Sequence, residues 1–204
     1  WIPDETRYAQ ISQEMLLGIG GTRVVEALNL KPTVWHINEG HAAFQILERC
    51  RHTMVSGLSF AAALEAVAGA TLFTTHTPVP AGHDIFPRSL VHHALGRYIE
   101  ESALDFDQVF ALGSKDDGDS FNMTSLGLRG SRFHNGVSRI HGGVASLMEG
   151  DIWPQVPSAE NPIGYITNGV HVPTFLAPEW SSLFDIQAPT WKSELRNPEF
   201  WKFI

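Results

Sequence analysis

Cysteine is almost missing from this chain. Cys50 is the only one, so no internal disulfide can form, which fits a reducing, cytoplasmic compartment. Basic charge is scarce as well: 14 lysines and arginines face 22 aspartates and glutamates, a formal net charge of −8. No basic patch stands out, which argues against nucleic acid or an anionic membrane as a partner. A long unbroken apolar run is also lacking. The most apolar stretch, 56–73, is interrupted by Glu65 and by Gly57 and Gly69, and reads as buried core, not as a membrane span. The glycine-rich phosphate loop, the dinucleotide fingerprint and the nucleophile elbow are absent. The ten histidines offer no convincing metal cluster, since His92 and His93 are adjacent and point apart on a helix. Asp116, Asp117 and Asp119 miss the spacing of a calcium loop and read as a solvated turn. Trp1-Ile2-Pro3-Asp4 shows neither an initiator Met nor a signal peptide, and the chain stops in the aromatic run 200–204. Both ends look cut, as in a piece of something longer.

What is present is ordinary globular material, 43% hydrophobic and 18% charged over 204 residues, enough for one sizeable core. Its organising stretch is 33–84. Thr33–Ile37 is a β-branched and aromatic run that stops at Asn38-Glu39-Gly40-His41. Ala70–Thr75 is a second such run, delivering His76 and Thr77 at its end. Pro78 and Pro80 then oppose continuation as helix or paired strand. Helical spacing is read over Glu5–Ile19, with Ile11, Met15 and Leu16 on one face and Gly18, Gly20 and Gly21 as its end. Further helices are read over Thr22–Leu28, Ala42–Val55, Ser59–Ala68 and Leu90–Ile99. Residues 113–131 read as loop. Arg132–His134 is extended, and a helix from Ser138 places Ile140, Val144, Leu147 and Met148 on one apolar face. A last strand, Gly164–Thr167, ends at Asn168, and Ala177–Phe184 is helical.

Strands alternating with helices predict an α/β fold on a parallel sheet. Four strand ends then carry polar turns on one edge: 38–41, 76–78, 134–136 and 167–169. Ligands gather at the carboxyl edge of such sheets. Each turn has a plain alternative. Asn-Gly is ordinarily a turn with φ > 0, Asn38 reads as a helix cap with Glu39 serving the helix dipole, and His41 and His76 can be structural. Convergence favours a site. Neutral donors and acceptors dominate it, which suits a hydroxyl-rich ligand such as a sugar.

The segments WHINEGHAAF, TTHTPVPAGHD, HNGVSRIHG and YITNGVHVPTFLAPEW, in this order and spacing, resemble the α-glucan (glycogen/maltodextrin) phosphorylases, in their short bacterial and archaeal branch. The likeness covers roughly residues 8–185. It implies a Rossmann-like sheet with flanking helices, part of the N-terminal, sugar-side lobe of a GT-B glycosyltransferase. It implies an enzyme that uses inorganic phosphate to release glucose 1-phosphate from an α-1,4-glucan, with pyridoxal phosphate as cofactor. By resemblance His76 and Asn168 contact the 6-hydroxyl of the bound glucosyl unit. Glu39, His41, Thr77 and Asp84 line the channel beside it, and Asn135, Gly136 and Val137 pass close as backbone. Phe175 stands where the family has a tryptophan near the cofactor, keeping an aromatic face without the indole N–H. The resemblance places the cofactor lysine and phosphate-gripping residues in a second, C-terminal lobe. One incomplete domain over 1–204, inactive alone, is therefore expected, in a parent compatible with homo-oligomers. A nucleotide-sugar-dependent GT-B transferase and a non-catalytic glycan-binding remnant are the alternatives.

Overall fold

A computed structural model describes residues 4–115 and 118–202; Asp116 and Asp117 of the acidic turn lie outside them. The chain divides into two compact units, 1–167 and 168–204, each described by itself.

The first unit opens with α1 (Asp4–Met15), a π-helical turn (Leu16–Gly20) and α2 (Gly21–Ala27). There follow β1 (Trp35–Asn38), α3 (Gln45–Met54), α4 (Phe60–Gly69), β2 (Thr71–Thr75), β3 (Ile85–Pro87), α5 (Arg88–Glu101) and α6 (Phe106–Gly113). The unit continues through β4 (Ser120–Asn122), α7 (Met123–Arg129), β5 (Phe133–Gly136), α8 (Arg139–Met148) and β6 (Ile163–Tyr165). The second unit carries α9 (Val172–Phe175), α10 (Pro178–Gln187) and α11 (Pro198–Trp201). In it Trp191 is fully buried, and its indole N–H donates to Asp185 at 2.8 Å.

Four strands form one parallel sheet in the order β1-β2-β5-β6, and β3 pairs antiparallel with β4 apart from it. Ile37 and Phe73 are buried completely, as the β-branched and aromatic runs require. Serine and asparagine set several helix starts. Ser59 accepts from Ala62 N–H at 3.3 Å, Ser138 from His141 N–H at 3.1 Å, and Asn122 from Thr124 N–H at 2.8 Å. Each satisfies a backbone donor that the first helical turn leaves open.

The structure departs from the sequence reading at several places, and the last strand ends at Tyr165 instead of Thr167. Gly18, Gly20 and Gly21 do not end a helix, because the chain continues through a π turn into α2. Gly18 serves contact: a Cβ there would stand 2.8 Å from Gln45 N and 2.9 Å from the Phe44 Cβ. Leu16, assigned to the buried face, is exposed, whereas Ile11 is buried; the wide turn rotates the helix beyond Met15. Residues 113–131 hold β4 and α7 in place of loop, since the Asn122 cap turns the polar stretch into a helix. Finally, α8 packs through His141, Gly142, Ala145 and Glu149, while Ile140 and Leu147 are 82% and 73% exposed. Its apolar stripe is therefore not the face that the sheet covers.

One buried charge cluster fastens α2 to α3. Glu48 is fully buried, accepting from Arg23 Nε at 2.9 Å and Arg51 Nη2 at 2.6 Å. Burial alone would raise its carboxyl, but the hydrogen bonds from Arg51, Arg23 and Tyr98 hold it down at about 2.

Candidate functional site

The carboxyl ends of β1, β2 and β5 lie side by side, with Asn38 opposite Thr74 and Thr74 opposite Asn135. The turns 38–41 and 76–78 and the last residues of β5, Asn135 and Gly136, accordingly share one edge.

Glu39 is the joint of that edge. Its Oε1 accepts from Thr75 Oγ1 at 3.2 Å, from Thr77 N–H at 2.8 Å, and from His76 N–H. One carboxylate thus holds the backbone of the next strand's exit turn, and the exposed His76 side chain rests on a tethered peptide. The grip requires an unusual backbone: Glu39 has φ 64° and ψ 178°, a region nearly reserved for glycine that costs about 1–3 kcal/mol. Asn38 ends β1 and caps no helix, contrary to its plain reading, and the Glu39 carboxylate is given to the next strand's exit, with no cap bond to the 3-10 turn Gly40–Ala42.

A second network runs across the strands beneath. Thr74 donates to Asn135 Oδ1 at 3.0 Å, which leaves its oxygen to accept from His36 Nε2–H at 2.8 Å. Asn135 donates in turn to Gly136 O at 3.2 Å. Gly136 is not the φ > 0 turn that Asn-Gly ordinarily signals. It is a strand residue whose missing side chain admits α8: a Cβ would meet His141 Nδ1 at 2.7 Å and Gly142 N at 2.8 Å. Val137 N–H donates to His141 Nδ1 at 3.3 Å, so the proton of the neutral ring sits on Nε2, buried with no acceptor among the described residues.

His41 and Asp84 meet on the flank. His41 Nδ1 lies 2.9 Å from Asp84 Oδ2, while Gln10 donates to the other oxygen of Asp84. Behind them stands Glu14, 3% exposed, with its Oε1 3.9 Å from His41 Nδ1. Burial first and Asp84 second push the Glu14 carboxyl up to about 10. Below the same loop, His83 Nδ1 stands 3.6 Å from Glu149 Oε1, and Lys115 Nζ donates to Glu149 Oε2 at 3.0 Å.

Eight of the ten residues singled out from the sequence lie in the first unit: Glu39, His41, His76, Thr77, Asp84, Asn135, Gly136 and Val137. The structure brings Glu39, His76 and Thr77 into one cluster and His41 and Asp84 into another. Asn168 and Phe175 belong to the second unit, where Phe175 closes α9 and is 78% exposed. Sequence reasoning missed Gln10, Glu14, His36, Thr74 and His141. Glu14 and Gln10 sit in a helix 25 or more residues upstream, and no local pattern joins them to Asp84. A separate concavity, lined by Arg129, Arg132, His134 and Trp153, opens at the amino end of the strands. Its arginines are already engaged, Arg132 by Glu65 and Arg129 by the carbonyls of Ala111, Leu112 and Ser114.

Fold and geometry together define an α/β protein whose parallel sheet gathers hydrogen-bonding side chains, Glu39 among them, at its carboxyl edge. The chain is 47% identical over 176 residues to the maltodextrin phosphorylase of Thermococcus litoralis, a match covering 86% of this chain and 21% of that protein. It is 42% identical over 209 residues to the glycogen phosphorylase of Mycobacterium tuberculosis, covering 95% of this chain and 24% of the relative. It is 30% identical over 187 residues to that of Aquifex aeolicus, covering 91% and 26%. This chain is a homologue of a segment of the maltodextrin and glycogen phosphorylases, and spans 21–26% of the length of these relatives. No family model matches it.

Proposed function

We propose that this chain forms the sugar-side part of an α-1,4-glucan phosphorylase of GT-B architecture, cytoplasmic, whose substrates are the glucan and inorganic phosphate. The observation that carries the reading is the Glu39 clamp. A carboxylate in a strained backbone holds the His76 and Thr77 amides, which leaves the His76 ring exposed at a sheet edge. Such an arrangement favours orientation of a neutral hydroxyl over proton transfer to the reacting bond.

In this reading His76 and Asn168 hydrogen-bond one hydroxyl of the terminal glucosyl unit. His41, Asp84 and Thr77 line the channel beside it, and Asn135–Val137 bound it with backbone. Oriented hydrogen bonds in a site that excludes water stabilise the flattened, cation-like ring of the transition state more than the ground-state sugar.

Pyridoxal phosphate, when bound in such an enzyme, supplies a phosphate that exchanges a proton with the substrate phosphate. The lysines of this chain do not fit its attachment. Lys115 is committed to buried Glu149, Lys31 precedes β1 at the opposite end of the sheet, and Lys192 and Lys202 pair with Asp185 and Glu199. The imine lysine belongs outside this segment, and Phe175 is the only residue here assigned beside the cofactor.

The test is phosphorolysis of maltodextrin by the full-length protein, with glucose 1-phosphate as the measured product. Activity that falls in His76→Ala while phosphate affinity holds supports the reading. A full-length protein that turns over a nucleotide sugar and ignores phosphate overturns it.

A further inference from the structure

We propose that Glu14, His41 and Asp84 form a binding site for a divalent first-row metal cation, with zinc as the representative ion. Three observations place it there. The ligand atoms of these residues all lie within 4.8 Å of one another. His41 Nδ1 stands 2.9 Å from Asp84 Oδ2 and 3.9 Å from Glu14 Oε1. Ligands held tetrahedrally at about 2.0–2.1 Å from zinc are themselves roughly 3.3–3.4 Å apart, so the observed separations bracket what an ion needs. Second, Glu14 is 3% exposed and neither of its oxygens has a hydrogen-bond donor among the described residues. Such a buried, unpartnered carboxyl is a group that a cation can satisfy, and its Oε1 stands 3.9 Å from His41 Nδ1. Third, the surroundings match those of a ligand set. Gln10 donates to Asp84 Oδ1, orienting the carboxylate so that Oδ2 faces the cluster. The His41 side chain is 59% exposed, so solvent reaches the site and can supply the remaining coordination. One imidazole and two carboxylates suit zinc or manganese better than a soft, thiolate-seeking ion.

The three ligands come from distant parts of the chain: α1, the turn after β1, and the loop before β3. An ion joining them would fix α1 against the two turns that flank the Glu39 clamp. The site shares His41 and Asp84 with the proposed sugar channel, but zinc binding is measured without sugar, so either reading can fail while the other holds.

Chelator-treated protein titrated with zinc chloride tests it by calorimetry, and one ion bound per chain is expected. His41→Ala, at an exposed position, and Glu14→Gln, nearly isosteric, should each weaken binding at least tenfold. Gln10→Ala, which only orients Asp84, should weaken binding about tenfold. Cobalt added to the unmodified protein provides a second readout that needs no variant. An intense visible d–d band, lost on addition of zinc, supports a low-coordinate site with an imidazole ligand. Zinc affinity unchanged in Glu14→Gln, or no cobalt band in the unmodified protein, overturns the proposal.

Discussion

At the scale of single residues, two carboxyls carry opposite linkage to pH. Glu14 is raised from 4.5 to about 10 in the folded chain. Between those values the folded state holds a proton that the unfolded state has lost. Its contribution to stability is complete below about 4.5 and disappears as pH rises toward 10, at up to about 1.4 kcal/mol per unit for one such group. Glu14→Gln, measured by urea unfolding with chelator present, should be more stable than the parent at pH 8, with the gap closing by pH 5. Parallel curves would mean that Glu14 ionises freely. Glu48 runs the other way. Held at about 2, it stabilises above 4.5, and that contribution is lost as pH falls through 2. Glu39 is the residue on which the site depends most. Glu39→Ala removes the acceptor of two backbone amides, each bond contributing about 1 kcal/mol. Amide exchange at His76 and Thr77 should accelerate about five- to tenfold while exchange in β1 and β2 stays unchanged. Equal acceleration throughout the sheet would show global loosening instead.

At the scale of elements, loops and helix starts are fixed by single buried polar groups. Glu149, fully buried at the end of α8, faces both His83 and Lys115. Removing one partner of a buried ion pair costs about 3–5 kcal/mol. Lys115 stays 26% exposed, so Glu149→Gln should lie near the low end, about 3 kcal/mol by chemical denaturation. A loss under about 1 kcal/mol would show that the loop is anchored otherwise. Asn122 holds the start of α7 by bonds to Thr124 and Ser125. Asn122→Ala should cost about 1–2 kcal/mol, and Asn122→Asp much less, because a carboxylate accepts the same bonds.

At the scale of the whole protein, the proposed enzyme makes a prediction about His76 and Asn168. In the full-length protein, His76→Ala and Asn168→Ala should each lower kcat/KM on maltodextrin roughly ten- to several-hundred-fold, from about 1–3 kcal/mol per lost bond. Because both are assigned to one hydroxyl, the double variant should lose less than the sum. Glucose 1-phosphate compared with its 6-deoxy analogue in the synthetic direction checks the assignment. Variants that discriminate as well as the parent would break it. The 204-residue chain alone should show no imine absorbance with pyridoxal phosphate and no borohydride-trapped adduct, since its lysines are remote or paired.

The parallel sheet is legible in the sequence because strand and helix periods are local properties of Thr33–Ile37, Ala70–Thr75 and the helical runs between them. The shared edge of the turns 38–41 and 76–78 with the end of β5 follows from that topology, so His76, Glu39 and Asn135 stand out as site candidates before any geometry. The phosphorylase resemblance rests on the same turns and agrees with the curated relatives. What Glu39 does cannot be read locally, because its hydrogen bonds reach 36–38 residues along the chain. The same holds for Glu14, whose burial depends on the distance between α1 and Asp84. The apolar stripe of α8 is real as a pattern and wrong as a core. Which face of a helix is covered depends on what packs against it, and there the glycines at 136 and 142 admit a close approach that the larger side chains of Ile140 and Leu147 would not. Periodicity therefore determined the elements and their edge, while burial, tautomer and ion pairing were decided only when distant segments came together, since each depends on neighbours that sequence order does not provide.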